Sequence, residues 1–108
     1  MVEPLPNAER VFLDGALTIR EIDAVRGRLA AALSASASVE VDCSAAVEVD
    51  LSLIQLLIAA RRSAAEAGKH MTMAQPADGA LRAALIQGGF LPVEGPEAGF
   101  WLGAAAPA

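Results

Sequence analysis

Cysteine is almost missing from this 108-residue chain. Cys43 stands alone, which excludes an internal disulfide and fits a reducing cytoplasm. Tyrosine is absent and aromatic residues amount to one tryptophan and three phenylalanines, so Leu, Ile and Val must supply most of the core. Histidine occurs once, at His70, with no cysteine or second histidine at ligand spacing; this argues against a metal site and against a Ser–His–acid hydrolase. Nothing in the sequence calls for a cofactor. Lys and Arg number 8 against 13 Asp and Glu, leaving a net charge of −5 and no basic stripe, so a nucleic-acid backbone is excluded as a partner. No apolar run reaches membrane-spanning length, and the opening MVEPLPNAER lacks the basic-then-apolar order of a secretory signal. The expectation is a cytoplasmic protein without direct membrane insertion. The glycines form no phosphate cradle, since Gly88-Gly89 follows a helical segment and does not precede one.

What is present is a 55% hydrophobic composition, rich in alanine, in a length suited to one domain. Such a chain buries roughly two-thirds of its unfolded surface. Residues 1–9, with Pro4 and Pro6, read as an irregular lead-in, 10–102 as the domain, and the alanine-rich 103–108 as a loose tail. Residues 10–13 are a short strand candidate, and Asp14-Gly15 turns the chain. Thr18 and Glu21 have capping-box spacing before a helix running to about Leu33, with Ile22, Val25, Leu29 and Leu33 on one face. Residues 39–43 alternate Val39, Val41 and Cys43 against Glu40 and Asp42 and predict a strand. A second, strongly apolar helix is expected over 51–67, with Leu53, Ile54, Leu57 and Ile58 as its core stripe and Gly68 as its stop. A strand over 69–74, a short helix ending near Gln87 on Leu81, Leu85 and Ile86, and a last strand over 99–102 complete the pattern. Strands alternating with helices predict an α/β layer fold with parallel neighbours joined by right-handed crossovers.

The most informative stretch is VEVDCSAAVEVDLSLIQLL, residues 39–57. It passes from a strand, through a loop over 45–49, into the apolar helix. Asp50 is a good N-cap, and Ser52 falls in the first helical turn, where unpaired N–H groups and the helix dipole favour negative charge. That places a small hydroxyl beside a carboxylate on an expected exposed loop–helix surface made by Glu48, Val49, Asp50, Leu51, Ser52 and Leu53. Asp42 and Ser44 read as turn formers at the strand end, and Cys43 as a small core residue. Arg61-Arg62 reads as helix surface, and Phe100 and Trp101 as late core or edge contacts.

Val41-Asp42-Cys43-Ser44, followed after four residues by Val49-Asp50-Leu51-Ser52, resembles the central signature of STAS domains, the anti-sigma-factor antagonists and their relatives. The order of elements from about Val11 to Leu91 is similar to the family's as well. The resemblance implies a single domain with a small mixed, largely parallel β-sheet backed by helices. It also implies a non-enzymatic bacterial regulator of signal transduction and transcription. In phosphorylatable members a serine opening the second long helix is modified by a partner serine kinase, usually an anti-sigma factor with a histidine-kinase-like ATPase fold. Carried over by position, that residue is Ser52, with Asp50 as the adjacent acid. Leu51 stands where the family has a hydroxyl residue, and Leu53 where it has a glycine. The variant Asp-Leu-Ser-Leu resembles members associated with chemosensory or phosphorelay clusters. The resemblance also supports a second reading, a constitutive, unmodified STAS subunit of an ABC lipid-transport complex, and it leaves a homodimer open.

Overall fold

The computed structural model describes residues 9–90 and 96–102. Of the expected lead-in over 1–9, residues 1–8 lie outside the described residues, as does the tail over 103–108, while Glu9 is corrected to the first residue of a strand. Strands β1 (Glu9–Phe12), β3 (Ser38–Asp42) and β5 (His70–Met73) pair in parallel in the order β1-β3-β5. Val11 stands opposite Val41, and Val41 opposite Met73. Strand alternation therefore sends Val11, Val39, Val41, Met71 and Met73 to one buried face. Arg10, Glu40 and Thr72 form a cross-strand row on the other. Arg10 Nη2 lies 3.0 Å from Glu40 Oε1 there. Helices α1 (Ile22–Ala35) and α2 (Leu51–Glu66) pack on the apolar side, α1 against β1 and β3 and α2 against β5.

A second parallel ladder joins β2 (Gly15–Leu17) to β4 (Ala46–Val49). It prolongs the β1–β3 pair beyond a break, which is bridged by Leu13 N–H to Asp42 C=O at 2.9 Å and Gly15 N–H to Ala45 C=O at 3.1 Å. The expected turn at 14–15 is thus corrected at Gly15, which opens β2, and the expected loop over 45–49 is corrected over 46–49, which form β4, while Ala45 stays in a turn. β2 carries no clean period of two, because the register slips between Gly15 and Ala16 and Gly15 takes φ 72°, and in β4 the alternating Val47 and Val49 are exposed and half-buried. Helix α3 (Gly79–Gln87) packs on β4.

The helix boundaries follow local chemistry. Gly68 adopts φ 74° after α2, donating its N–H to Ala65 C=O, while Lys69 N–H returns to Ala64 C=O. The Thr18–Glu21 pair forms its bonds one turn early. Glu21 Oε1 accepts from Thr18 N–H at 2.9 Å and from Thr18 Oγ1 at 2.7 Å, and the helix proper begins at Ile22. Ile22, Val25, Leu29 and Ala32 are buried, and Leu33 packs partly buried beside them. In α3, Ile86 turns outward and only Leu81 and Leu85 are buried.

The expected strand over 99–102 is instead the end of a helix, α4 (Pro96–Trp101). Phe100 and Trp101 are both buried and meet edge to face at 4.8 Å, whereas a strand would send consecutive side chains to opposite faces. Trp101 C=O accepts from Ala77 N–H at 2.8 Å, and Arg61 turns in from α2 to lie 5.5 Å over the Phe100 ring. Among the described residues no helix is long and apolar enough to cross a membrane.

Candidate functional site

The site forms where β4 ends and α2 begins. Val49 closes the β2–β4 ladder opposite Leu17. Asp50 is still extended, φ −120° and ψ −177°, so its side chain folds back over the helix start. Its Oδ1 accepts from Ser52 N–H at 3.0 Å and from Ser52 Oγ at 2.5 Å. Its Oδ2 accepts from Ile19 N–H at 2.9 Å, across 31 residues of sequence. Asp50 C=O receives Leu53 N–H at 3.2 Å. One carboxylate therefore caps α2, orients the Ser52 hydroxyl and fastens the turn that precedes α1.

The Ser52 hydroxyl bond, with help from the backbone N–H groups of Ile19, Ser52 and Leu53, holds the Asp50 carboxyl below the usual carboxylate range. The group is an anion at neutral pH. Glu21 is lowered in the same way by the Thr18 hydroxyl and N–H. Upstream, Asp42 Oδ1 accepts from Ser44 N–H at 2.9 Å and Ser44 Oγ at 2.6 Å, and these bonds lower its pKa too. Cys43 between them is buried, and that burial, reinforced by the Asp42 charge, pushes its thiol up to about 12. It is a protonated core side chain and no nucleophile.

The expected surface divides. Glu48 is exposed, Val49, Asp50 and Ser52 are half-buried, and Leu51 is 51% exposed. Leu53 is fully buried and leaves the contact surface. It faces inward with Ile54 and Leu57 and anchors the first turn of α2 in the core. The Ser52 hydroxyl is less open than a bare loop–helix reading suggests, because it is turned onto Asp50. Val47, 75% exposed on β4, adds an apolar side chain to the same region.

A cavity of about 330 Å³ opens beside Asp50 and Leu51, floored by Ile54 and walled by Ala84, Gln87 and Gly88 at the end of α3. Sequence reasoning missed the α3 wall, since its approach depends on β4 being a strand on which α3 can pack. It also missed Ile19. The capping-box spacing places a helix start there, but nothing local shows that Asp50 supplies the acceptor.

A family model described as "Mlab, STAS domain" matches residues 1–90. No curated protein and no solved structure matches the chain. The match spans both Asp-x-Ser turns, the five strands and all of α1 to α3. It coincides with a mixed α/β domain of parallel ladders backed by helices. On these grounds the chain belongs to the STAS domain family, whose members are in general non-enzymatic, anti-sigma-factor-antagonist-like binding modules for signalling proteins.

Proposed function

We propose that this protein is a cytoplasmic binding module whose hold on a signalling partner is switched by phosphorylation of Ser52. The partner is an anti-sigma factor with serine-kinase activity or a related signalling protein, in a sigma-factor, chemosensory or phosphorelay pathway, and the chain itself catalyses no turnover. The observation that carries this reading is the Ser52 hydroxyl in the first turn of α2, hydrogen-bonded to Asp50 beside half-exposed Leu51. In the modification, Ser52 Oγ attacks the terminal phosphorus of an ATP held by the kinase. The Oγ–P bond forms as the bond to the β-phosphate oxygen breaks, and its electron pair leaves with ADP. The hydroxyl proton departs along its hydrogen bond to Asp50 Oδ1 and passes to solvent.

Modification adds about −1.5 to −2 charges. Within the domain, the helix N-terminus stabilises that charge by about 0.3–1 kcal/mol, and repulsion from Asp50 offsets part of it. The fold changes little. At an interface formed by Glu48, Val49, Asp50, Leu51 and Ser52 the balance is different, because burying an unpaired dianion against apolar surface costs several kcal/mol. A loss of ~3 kcal/mol weakens binding more than a hundredfold. The test is a pair of measurements on Ser52→Asp. Partner affinity should fall at least tenfold while the melting temperature stays near the wild-type value; unchanged affinity in a folded variant rejects the switch.

A second reading is a constitutive subunit of an ABC lipid-transport complex. It is favoured by a largely apolar groove of about 350 Å³ between α1 and α2, lined by Leu29, Ala30, Leu33, Leu56, Ala59 and Ala60 together with Arg26 and Ser63. That reading expects a fixed stoichiometry with the transporter and no response to Ser52→Asp.

A further inference from the structure

The two oxygens of Asp50 serve different parts of the molecule. Oδ1 serves the start of α2, through Ser52 N–H and Oγ–H. Oδ2 serves the turn before α1, through Ile19 N–H. The β2–β4 ladder stops at the Leu17–Val49 rung, and the Asp50–Ile19 bond is the next tie between the same two segments. A side chain there replaces the backbone carbonyl that would otherwise continue the ladder. We infer that Asp50 is a relay through which the state of Ser52 reaches the Thr18–Glu21 turn. The inference takes Ser52 as the modified residue from the reading above.

The physical sequence is short. Unmodified, the Ser52 O–H donates to Oδ1 and keeps the carboxylate seated on the helix start. The phosphate ester removes that donor. It places a dianion within bonding distance of a carboxylate already ionised at neutral pH. The phosphate oxygens also compete for the Ser52 and Leu53 N–H groups, which are the better match for a phosphate at a helix N-terminus. Both effects drive Asp50 off its seat, and a carboxylate that rotates away withdraws Oδ2 from Ile19.

The turn then loses its tie to α2 while keeping its internal bonds, Glu21 to Thr18 N–H and Oγ1. Its exposed Ile19 side chain, 64% accessible, is no longer held in a fixed position relative to Leu51. A partner that reads both segments senses the phosphate twice, once as charge and once as a displaced turn. The core is untouched, because Leu17 and Ile22 on either side of the turn remain buried.

The experiment is residue-resolved amide hydrogen exchange by NMR on the full chain, with no kinase or partner present. Ser52→Asp and, as an independent mimic, Ser52→Glu should speed exchange at Ile19 roughly tenfold, the scale of one lost charge-assisted hydrogen bond. Amides of the β1–β3 and β3–β5 ladders should hold their wild-type rates. Ser52→Ala removes the hydroxyl without adding charge, leaves the backbone N–H of residue 52 to seat Asp50, and should speed Ile19 exchange far less than either mimic. Asp50→Ala should expose Ile19 by itself, and adding Ser52→Asp to it should change Ile19 no further. An Ile19 rate unmoved in both mimics with the ladders intact overturns the relay, as does an effect of Ser52→Asp that persists in full without Asp50. Either result leaves the phosphate switch standing, since that is read from partner affinity. If the relay operates in the mimics while the kinase never modifies Ser52, the switch fails and the mechanical coupling survives.

Discussion

The chain uses the same three-residue device twice, eight positions apart, for different ends. In Asp42-Cys43-Ser44 and in Asp50-Leu51-Ser52 the carboxylate Oδ1 takes both the N–H and the hydroxyl of the serine two residues on. The first closes a strand. Asp42 is the buried charged residue of the described structure, 8% accessible, and its other oxygen faces Arg10 at 3.9 Å on the neighbouring strand. Its serine is exposed, and the chain turns straight into β4 through Ala46 N–H to Cys43 C=O. The second opens a sixteen-residue helix, and its free oxygen holds a backbone N–H from another element. The same hydrogen-bonded Asp-x-Ser thus serves a strand end in one place and a helix start in the other. The structure that follows it, and the use made of the second carboxylate oxygen, decide whether the serine sits in a plain turn or in the field of a helix terminus.

That contrast can be broken at several points. The largest effect is expected one residue past the second turn. Leu53→Ala should cost about 2–5 kcal/mol by leaving a cavity in the core, while Leu51→Ala on the surface should stay within about 0.5 kcal/mol; chemical denaturation of the two separates them. Next, Asp42→Ala should cost about 1–3 kcal/mol, because it strips a buried turn of its acceptor. Asp50→Ala should cost about 1 kcal/mol, as the loss of an N-cap does. The two costs should add, since the turns share no partner.

A pH series sharpens the comparison. Both carboxyls sit below their ordinary value of 3.8 in the folded state. The stability they contribute is therefore fully present above that value and is lost as pH falls through their lower, folded values. Acid unfolding should steepen below about pH 4, and Asp42→Asn and Asp50→Asn should each flatten it. A wild-type stability independent of pH between 4 and 2 would contradict the bonds described. The serines of the two turns should matter less than their carboxylates: Ser44→Ala and Ser52→Ala should each stay within about 1 kcal/mol, so that their consequences for phosphorylation can be compared in folded protein.

Most of the frame was legible in the sequence, for identifiable reasons. Val39, Val41 and Cys43 alternate, and Leu53, Ile54 and Leu57 recur at helical spacing, so β3 and α2 announce themselves. Asp50 and Gly68 mark the ends of α2 by cap chemistry that acts within a few residues. What escaped depends on distant partners. Residues 15–17 are too few to carry a strand pattern, and 46–49 alternate Val47 and Val49 with Glu48 but bury no side chain fully; the two segments pair because β1 and β3 deliver them side by side. The aromatic pair Phe100-Trp101 suggests a strand until both rings prove to be buried in α4. At the site, Ser52 and Asp50 could be located from spacing. Leu53 reads as core by its helical spacing with Leu57 and as contact surface by its nearness to Ser52; its full burial keeps the first role and removes the second. The Ile19 tie belongs to a pair 31 positions apart, and no local rule reaches that far.

Under the proposed function, position in the fold makes Ser52, and not its chemical twin Ser44, the switch. Phosphate mapping by mass spectrometry, after incubating the chain with its partner kinase and ATP, tests this directly. Modification is expected at Ser52, abolished in Ser52→Ala and retained in Ser44→Ala. Phosphate found on Ser44, or incorporation undiminished in Ser52→Ala, would contradict it.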